Sequence, residues 1–290
     1  MKWSLIAVTI LSSALANAEV AHVNSQQDST SDYEISIPNI TPRWSIDQLT
    51  GVRSYHNGAN CFNGAAAALG YVDQLVQMNT LEFRYYLEVF CTSGASLTKP
   101  GSLLVTFGNG HPGHTALVVA SGQIFEKGST AGFYSNRSQD STYKVESWDQ
   151  SENLRECKAP KCAVQGYDCE SSMEVRKKLA DCRAVGQKIG LEQIRDELQK
   201  VTFDRSREIS LSGVIPLIPK ITHGLAQIDG GDSCALYLLG QAESAISHIV
   251  SVQPNFNGAR DLWPAMNQLA NRIQTIDHSE VTARVMYEWH

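Results

Sequence analysis

The sequence predicts an α+β fold whose second half is mostly helical and held by disulfides. Three observations carry this. An alanine-rich helix begins at Cys61, short strand-like segments separated by glycine turns fill residues 102–148, and five of the seven cysteines lie among helical segments after residue 150. With 42% hydrophobic residues, a chain of 290 residues has ample material for a core of its own.

Taken in order, residues 1–18 read as an export signal. Lys2 supplies the positive start, Leu5 to Leu11 most of the apolar stretch, and Ala16-Asn17-Ala18 a small-x-small cleavage site before Glu19. The apolar part is too short to span a bilayer, and no later stretch approaches the about 20 apolar residues a membrane helix needs. The expected product is exported, periplasmic or extracellular, where disulfides form. Residues 19–43 are a polar leader rich in Ser, Asp and Gln.

Residues 44–150 form the expected mixed domain. Tyr55-His56-Asn57-Gly58-Ala59-Asn60 is turn-forming, and the run from Cys61 to Leu69 is helix-forming, with Asn60 as N-cap. Leu81 to Phe90 is a second helix. Lys99-Pro100-Gly101 is a turn, Ser102 to Phe107 a strand, and Asn109 to Gly113 a loop. Thr115 to Ala120 and Gln123 to Lys127 form a hairpin about Ser121-Gly122, and Tyr143 to Trp148 is a further strand.

Residues 151–290 form the expected cysteine-containing helical domain. A helix is predicted from Ser172 to Val185, and another from Cys234 to Val250 capped by Asp232 or Ser233. The stripe Leu262, Met266, Leu269, Ile273 and Ile276 has helical spacing. The segment from Ser210 to Thr222, with two prolines, takes no assignment.

A net charge of −6 argues against nucleic acid as a partner, and the run Arg176-Lys177-Lys178 reads as a solvated helix face. An odd number of cysteines in an oxidising compartment leaves one thiol over. The simplest arithmetic pairs Cys91, Cys157, Cys162, Cys169, Cys182 and Cys234 as three bridges, in a connectivity the sequence does not choose, and leaves Cys61 free. The spacings of the cluster match no usual zinc site, and no histidine lies among them.

Cys61 at a helix N-terminus sits where unpaired N–H groups and the helix dipole favour a thiolate. His114, at the start of an apolar strand, is the candidate base; His111, in the glycine- and proline-rich loop, is its competitor. A third group must orient the imidazole. If the hairpin connection has an odd number of residues, or carries a bulge, Glu126 shares a sheet face with His114. If it has two residues, Lys127 takes that face, and a cation suits an imidazolium poorly. The chemistry favours Glu126.

The segments Asn60-Cys61-Phe62-Asn63-Gly64, Lys99-Pro100-Gly101-Ser102-Leu103-Leu104-Val105 and Gly113-His114-Thr115-Ala116-Leu117-Val118-Val119 resemble the NlpC/P60 superfamily of papain-like cysteine hydrolases. The resemblance covers roughly residues 50–150. It departs from the family pattern at Asn60, Phe62, Ser102 and Glu126, where the family has Asp, Ser, Asp and most often His. It implies a papain-like domain with a helix on a small antiparallel sheet, Cys61 as nucleophile, His114 as base and Glu126 as orienting residue. Tyr55 and Asn60 would lie at the oxyanion and substrate side, with the Cys61 N–H as a further donor. The implied substrate is a peptide, such as a peptidoglycan stem, and no metal or organic cofactor is implied. A catalytically inactive module binding wall peptides or a protein partner, and an acyltransferase using the same Cys–His pair, are the alternatives.

Overall fold

The computed structural model describes residues 44–54, 58–127, 142–203, 211–228 and 232–252, together with Asn267 and Asn271. The expected signal, the polar leader, Tyr55 and all five residues of the Leu262–Ile276 stripe lie outside the described residues.

The fold is α+β, built on one six-stranded, wholly antiparallel sheet with helices on both faces. A short helix α1 (Ile46–Leu49), closed by a capping box from Ser45 and Gln48, leads to α2 (Cys61–Ala68) and α3 (Thr80–Phe90). The strands are β1 (Cys91–Ser93), β2 (Leu103–Gly108), β3 (His111–Ala120), β4 (Gln123–Lys127), β5 (Tyr143–Ser147) and β6 (Cys162–Cys169), in the spatial order β1-β6-β2-β3-β4-β5. Between β5 and β6 lies the short α4 (Glu152–Glu156). After β6 come α5 (Ser172–Lys178), α6 (Ala180–Ile189), α7 (Leu191–Phe203), α8 (Leu217–Ala226) and α9 (Ala235–Val252).

Strand alternation divides the apolar side chains between two layers. Leu103, Val105, Leu117, Val119, Phe125 and Tyr143 face α2 and join the main core. Leu104, Ala116, Val118 and Ile124 face the other way and are covered by Leu154 of α4 and by Trp148. α2 packs on β3 and β4, and α3 lies beneath it, with Phe62 stacked on Phe83 at 4.4 Å. α9 and α7 support α3 in turn. The carboxylate of Glu82 on α3 accepts from Arg195 of α7 at 3.0 Å, and both side chains are fully buried.

Several expectations are revised. The boundary expected at 150/151 does not divide the structure, because β6, from the supposed helical region, is an interior strand between β1 and β2. Its sequence, Cys-Ala-Val-Gln-Gly-Tyr-Asp-Cys, carries small and polar residues on a half-exposed strand, so it shows no apolar alternation. The loop expected at 109–113 is a two-residue Asn109-Gly110 turn with positive φ at both positions, a strong hairpin turn pair, and β3 already begins at His111. The helix expected over 172–185 breaks at the buried Leu179 into α5 and α6. The unassigned 210–222 segment contains the start of α8, whose Pro219 sits in the first turn, where no intrahelical N–H bond is required of it.

The cysteines pair as Cys91–Cys169, Cys157–Cys162 and Cys182–Cys234, and Cys61 is the free thiol. The first bridge joins register partners on β1 and β6, and the third ties α6 to the residue before α9 across 52 positions. No helix among the described residues is long and apolar enough to cross a membrane.

Candidate functional site

The site forms where β3 and β4 part. Their ladder runs from Ala120↔Gln123 to Leu117↔Phe125 and goes no further. Beyond that point β3 stays paired with β2 through Thr115 and His114, while β4 stays paired with β5 through Glu126 and Lys127. α2 packs on these two strands, and its first residue, Cys61, reaches the gap between them.

The connection has only two residues, Ser121 and Gly122, yet Glu126 shares the face of His114. A bulge near Val119 shifts the register by one residue and restores the parity. His114 and Glu126 are 4% and 2% exposed, and His114 Nε2 lies 2.8 Å from Glu126 Oε2. Ser151 Oγ, the cap of α4, donates to the same oxygen at 3.0 Å. Burial alone would raise the Glu126 pKa. The bond and charge of His114, with help from Glu146 and Ser151, instead bring it down to about 2. Glu126 is therefore ionised, Nε2 carries a proton and donates it, and Nδ1 is the ring nitrogen left to serve the sulfur. Nδ1 is buried and has no hydrogen-bond partner of its own. His114 is the fourth residue of β3 rather than the first of a strand, as the sequence had suggested, so its ring is held on an element anchored at both ends.

Cys61 is half-buried at the first position of α2. Burial pushes its pKa up, but the His114 charge and ring and the N–H groups of Thr115 and Phe62 outweigh this and bring it below the usual thiol value. The parting of β3 from β4 is what leaves the Thr115 N–H for the sulfur. The pair responds together. Burial would lower the His114 pKa, whereas the Cys61 charge and contact, and then Glu126, raise it to about 10. Both shifts favour a thiolate beside an imidazolium over the neutral pair.

The turn before Cys61 is fastened on both sides. Asn60 Oδ1 accepts from the Asn63 N–H at 3.1 Å, and its Nδ2 donates to the Met78 carbonyl at 2.7 Å. Asn60 therefore fastens the turn that leads into Cys61. Lys127 projects onto the helix-facing side of the sheet, opposite to Glu126. It donates to Ser54 Oγ and the Ala59 carbonyl and lies over the Tyr143 ring at 5.4 Å from its centroid. The Tyr143 ring packs against Gly64, one helical turn after Cys61, and stacks on Phe125 at 5.7 Å.

Among the residues expected at the site, Cys61, His114 and Glu126 meet, while Tyr55 lies outside the described residues. His111 pairs with Gly108 beside the Asn109-Gly110 turn, three residues from His114. Sequence reasoning missed Ser151 and Tyr143, and weighed Lys127 only as a rival to Glu126 on the His114 face. Only the Ser-x-x-Leu start of α4 gave a local cue, as a helix cap, for one of them.

No family model matches the chain, and no curated protein or solved structure does so either. The chemistry rests on geometry. A buried carboxylate orients an imidazole, the imidazole faces a free thiol, and the thiol heads a helix, an arrangement suited to nucleophilic acyl transfer.

Proposed function

We propose that this protein is an exported cysteine hydrolase of the papain-like NlpC/P60 kind, cleaving amide bonds in peptides of the cell wall. The observation that carries the reading is the unpaired Cys61 thiol coupled to His114, with His114 fixed by Glu126 at 2.8 Å. The three disulfides suit an exported protein. The wall-peptide substrate is drawn from the resemblance of the segments around Cys61, Ser102 and His114.

In this mechanism the Cys61 thiolate attacks the amide carbonyl and forms a C–S bond. The backbone N–H of Cys61, at a helix N-terminus with no intrahelical acceptor, faces the developing oxyanion. The imidazolium of His114 gives its proton to the departing amine as the C–N bond breaks, leaving a thioester and a neutral imidazole. Water then attacks the thioester and passes a proton to His114. The C–S bond breaks, the acid leaves, and the thiolate–imidazolium pair is restored.

The test is a digest of purified peptidoglycan by the wild type and by Cys61→Ser, read by mass spectrometry. Fragments with a new amine and a new carboxylate are expected from the wild type and not from the variant. Equal silence from both would overturn the wall-peptide assignment and favour a binding module. Fragments joined to an added amine or alcohol in place of water would make the protein an acyltransferase.

A further inference from the structure

Glu126 has two carboxylate oxygens, and the contacts described so far use one. Oε2 takes both His114 Nε2 and Ser151 Oγ, while Oε1 is buried with no hydrogen-bond partner. The next strand repeats the situation. Ile124↔Glu146 and Glu126↔Lys144 are register partners of β4 and β5, so Glu146 is a diagonal neighbour of Glu126 on the same sheet face. Lys144 Nζ donates to Glu146 Oε2 at 2.7 Å, and Glu146 Oε1 is likewise buried without a partner.

Two ionised carboxylates so placed would repel each other and leave two buried acceptors unsatisfied. A single proton removes both penalties. We propose that Glu146 is a positioning residue of the site, a neutral carboxylic acid whose O–H donates to Glu126 Oε1 and holds the carboxylate that orients His114. The role rests on the reading of Cys61 and His114 as the reactive pair.

The titration of the two groups agrees with this division. Burial, and then Glu126, hold the Glu146 carboxyl above the ordinary carboxylate value against the pull of Lys144, while Glu126 is held below it. The charged groups facing Glu146 are Glu126 on β4, with His114 behind it on β3, and Lys144 on its own strand. The Ser151 hydroxyl at the start of α4, which donates to Glu126, does not titrate in this range. Lys144 is partly exposed (43%), so water screens its pull on Glu146.

Two variants test the role. Glu146→Gln keeps a donor toward Glu126 and an acceptor toward Lys144 but cannot ionise, whereas Glu146→Ala keeps neither. At about pH 5.5, where an ordinary glutamate is ionised, the infrared difference between wild type and Glu146→Gln is expected to show one neutral carboxylic acid. The subtraction removes any other protonated carboxyl, such as Glu243, and the readout does not need the alanine variant to fold. Alkylation of Cys61 by iodoacetamide should be within about twofold of wild type in Glu146→Gln, and slower by about tenfold in Glu146→Ala, the scale of one hydrogen bond to a charged group. The two failures are separable. A wild-type Cys61 no more reactive than a small free thiol overturns the proposed function. A reactive wild type with no carboxylic acid band, with Glu146→Ala equally reactive, or with Glu146→Gln as slow as Glu146→Ala, overturns the role of Glu146 alone.

Discussion

Gly64→Ala sets two effects of known size against each other. Gly64 lies inside α2, so alanine should gain about 1 kcal/mol of helix propensity, and the helix taken alone predicts a more stable protein. The structure predicts the opposite. A Cβ at Gly64 would lie 2.3 Å from Tyr143 Cε1 and 3.1 Å from Cδ1. Ordinary contact begins near 3.4 Å, so ring and helix must separate by about 1.1 Å (3.4 − 2.3). The ring cannot yield easily, because it is fully buried, stacked on Phe125 and covered by the Lys127 ammonium. The helix must therefore move, and Cys61 moves with it.

Overpacking of this kind costs about 1–3 kcal/mol, which exceeds the propensity gain. Taking off the propensity gain leaves a net loss of up to about 2 kcal/mol, a melting temperature lower by up to about 4 °C in a chain of this size. A displacement near 1 Å at Cys61 should slow its alkylation by about tenfold to 100-fold. Both readouts come from one protein, by thermal unfolding and timed iodoacetamide labelling. Replacing Tyr143 with leucine in the same background should recover part of the loss, so that the double variant falls short of the sum of the singles. A Gly64→Ala protein that melts no lower than wild type, with Cys61 reacting at its usual rate, would refute the contact argument.

Two further outcomes follow from the titrating groups. Alkylation of wild-type Cys61 should decline far less than tenfold per pH unit between pH 8 and 6, because the thiolate is held by an imidazolium that persists up to about pH 10. His114→Ala should instead fall about tenfold per unit, as a thiol of ordinary pKa does, and matching slopes would sink the ion-pair assignment. Glu243 on α9 is buried, and burial raises its pKa from 4.5 to about 7. Between those values the unfolded chain has released a proton that the folded one retains, so this group's contribution to stability falls as pH rises. Glu243→Gln should thus stabilise the fold at pH 8, by an amount on the order of 3 kcal/mol, and change little at pH 4. Equal effects at both pH values, measured by urea unfolding, would refute the assignment.

What was legible in the sequence was what local pattern and counting encode. The runs Leu-Leu-Val and Leu-Val-Val announce strands buried on both faces, and the odd cysteine total singles out a free thiol. Parity along the hairpin reaches Glu126 from His114 because side chains alternate on a strand, and it requires either an odd loop or the bulge that the structure contains. What was not legible depends on register between distant segments. Beyond the helix-cap cue at Ser151, nothing local marks the roles of Ser151, Lys127 and Glu146. Glu126 meets Ser151 and Glu146 only when β4, β5 and the start of α4 lie side by side, and Lys127 meets Ser54 and Ala59 only when β4 reaches the turn before α2. β6 was hidden for a related reason. Its flanking cysteines were counted into the disulfide-bonded helical region, and its small and polar residues give no apolar alternation from which to read a strand.

The placement of β6 also changes how the second half should be understood. Were residues after 150 a separate module, the site would need only the first half of the chain. Instead β6 pairs along the whole of β2, and β2 is the strand that keeps His114 in line after β3 leaves β4. On the other side, α2 rests on α3 through Phe62 and Phe83, and α3 is held by α7 and α9 through the buried Glu82–Arg195 pair. His114 and Cys61 are thus each braced from behind by residues after 150, along separate routes. A gap between two strands is a weak place in a sheet, and here it must be kept open by a fixed amount. Bracing both sides independently lets Cys61 and His114 meet there without a ladder to join them.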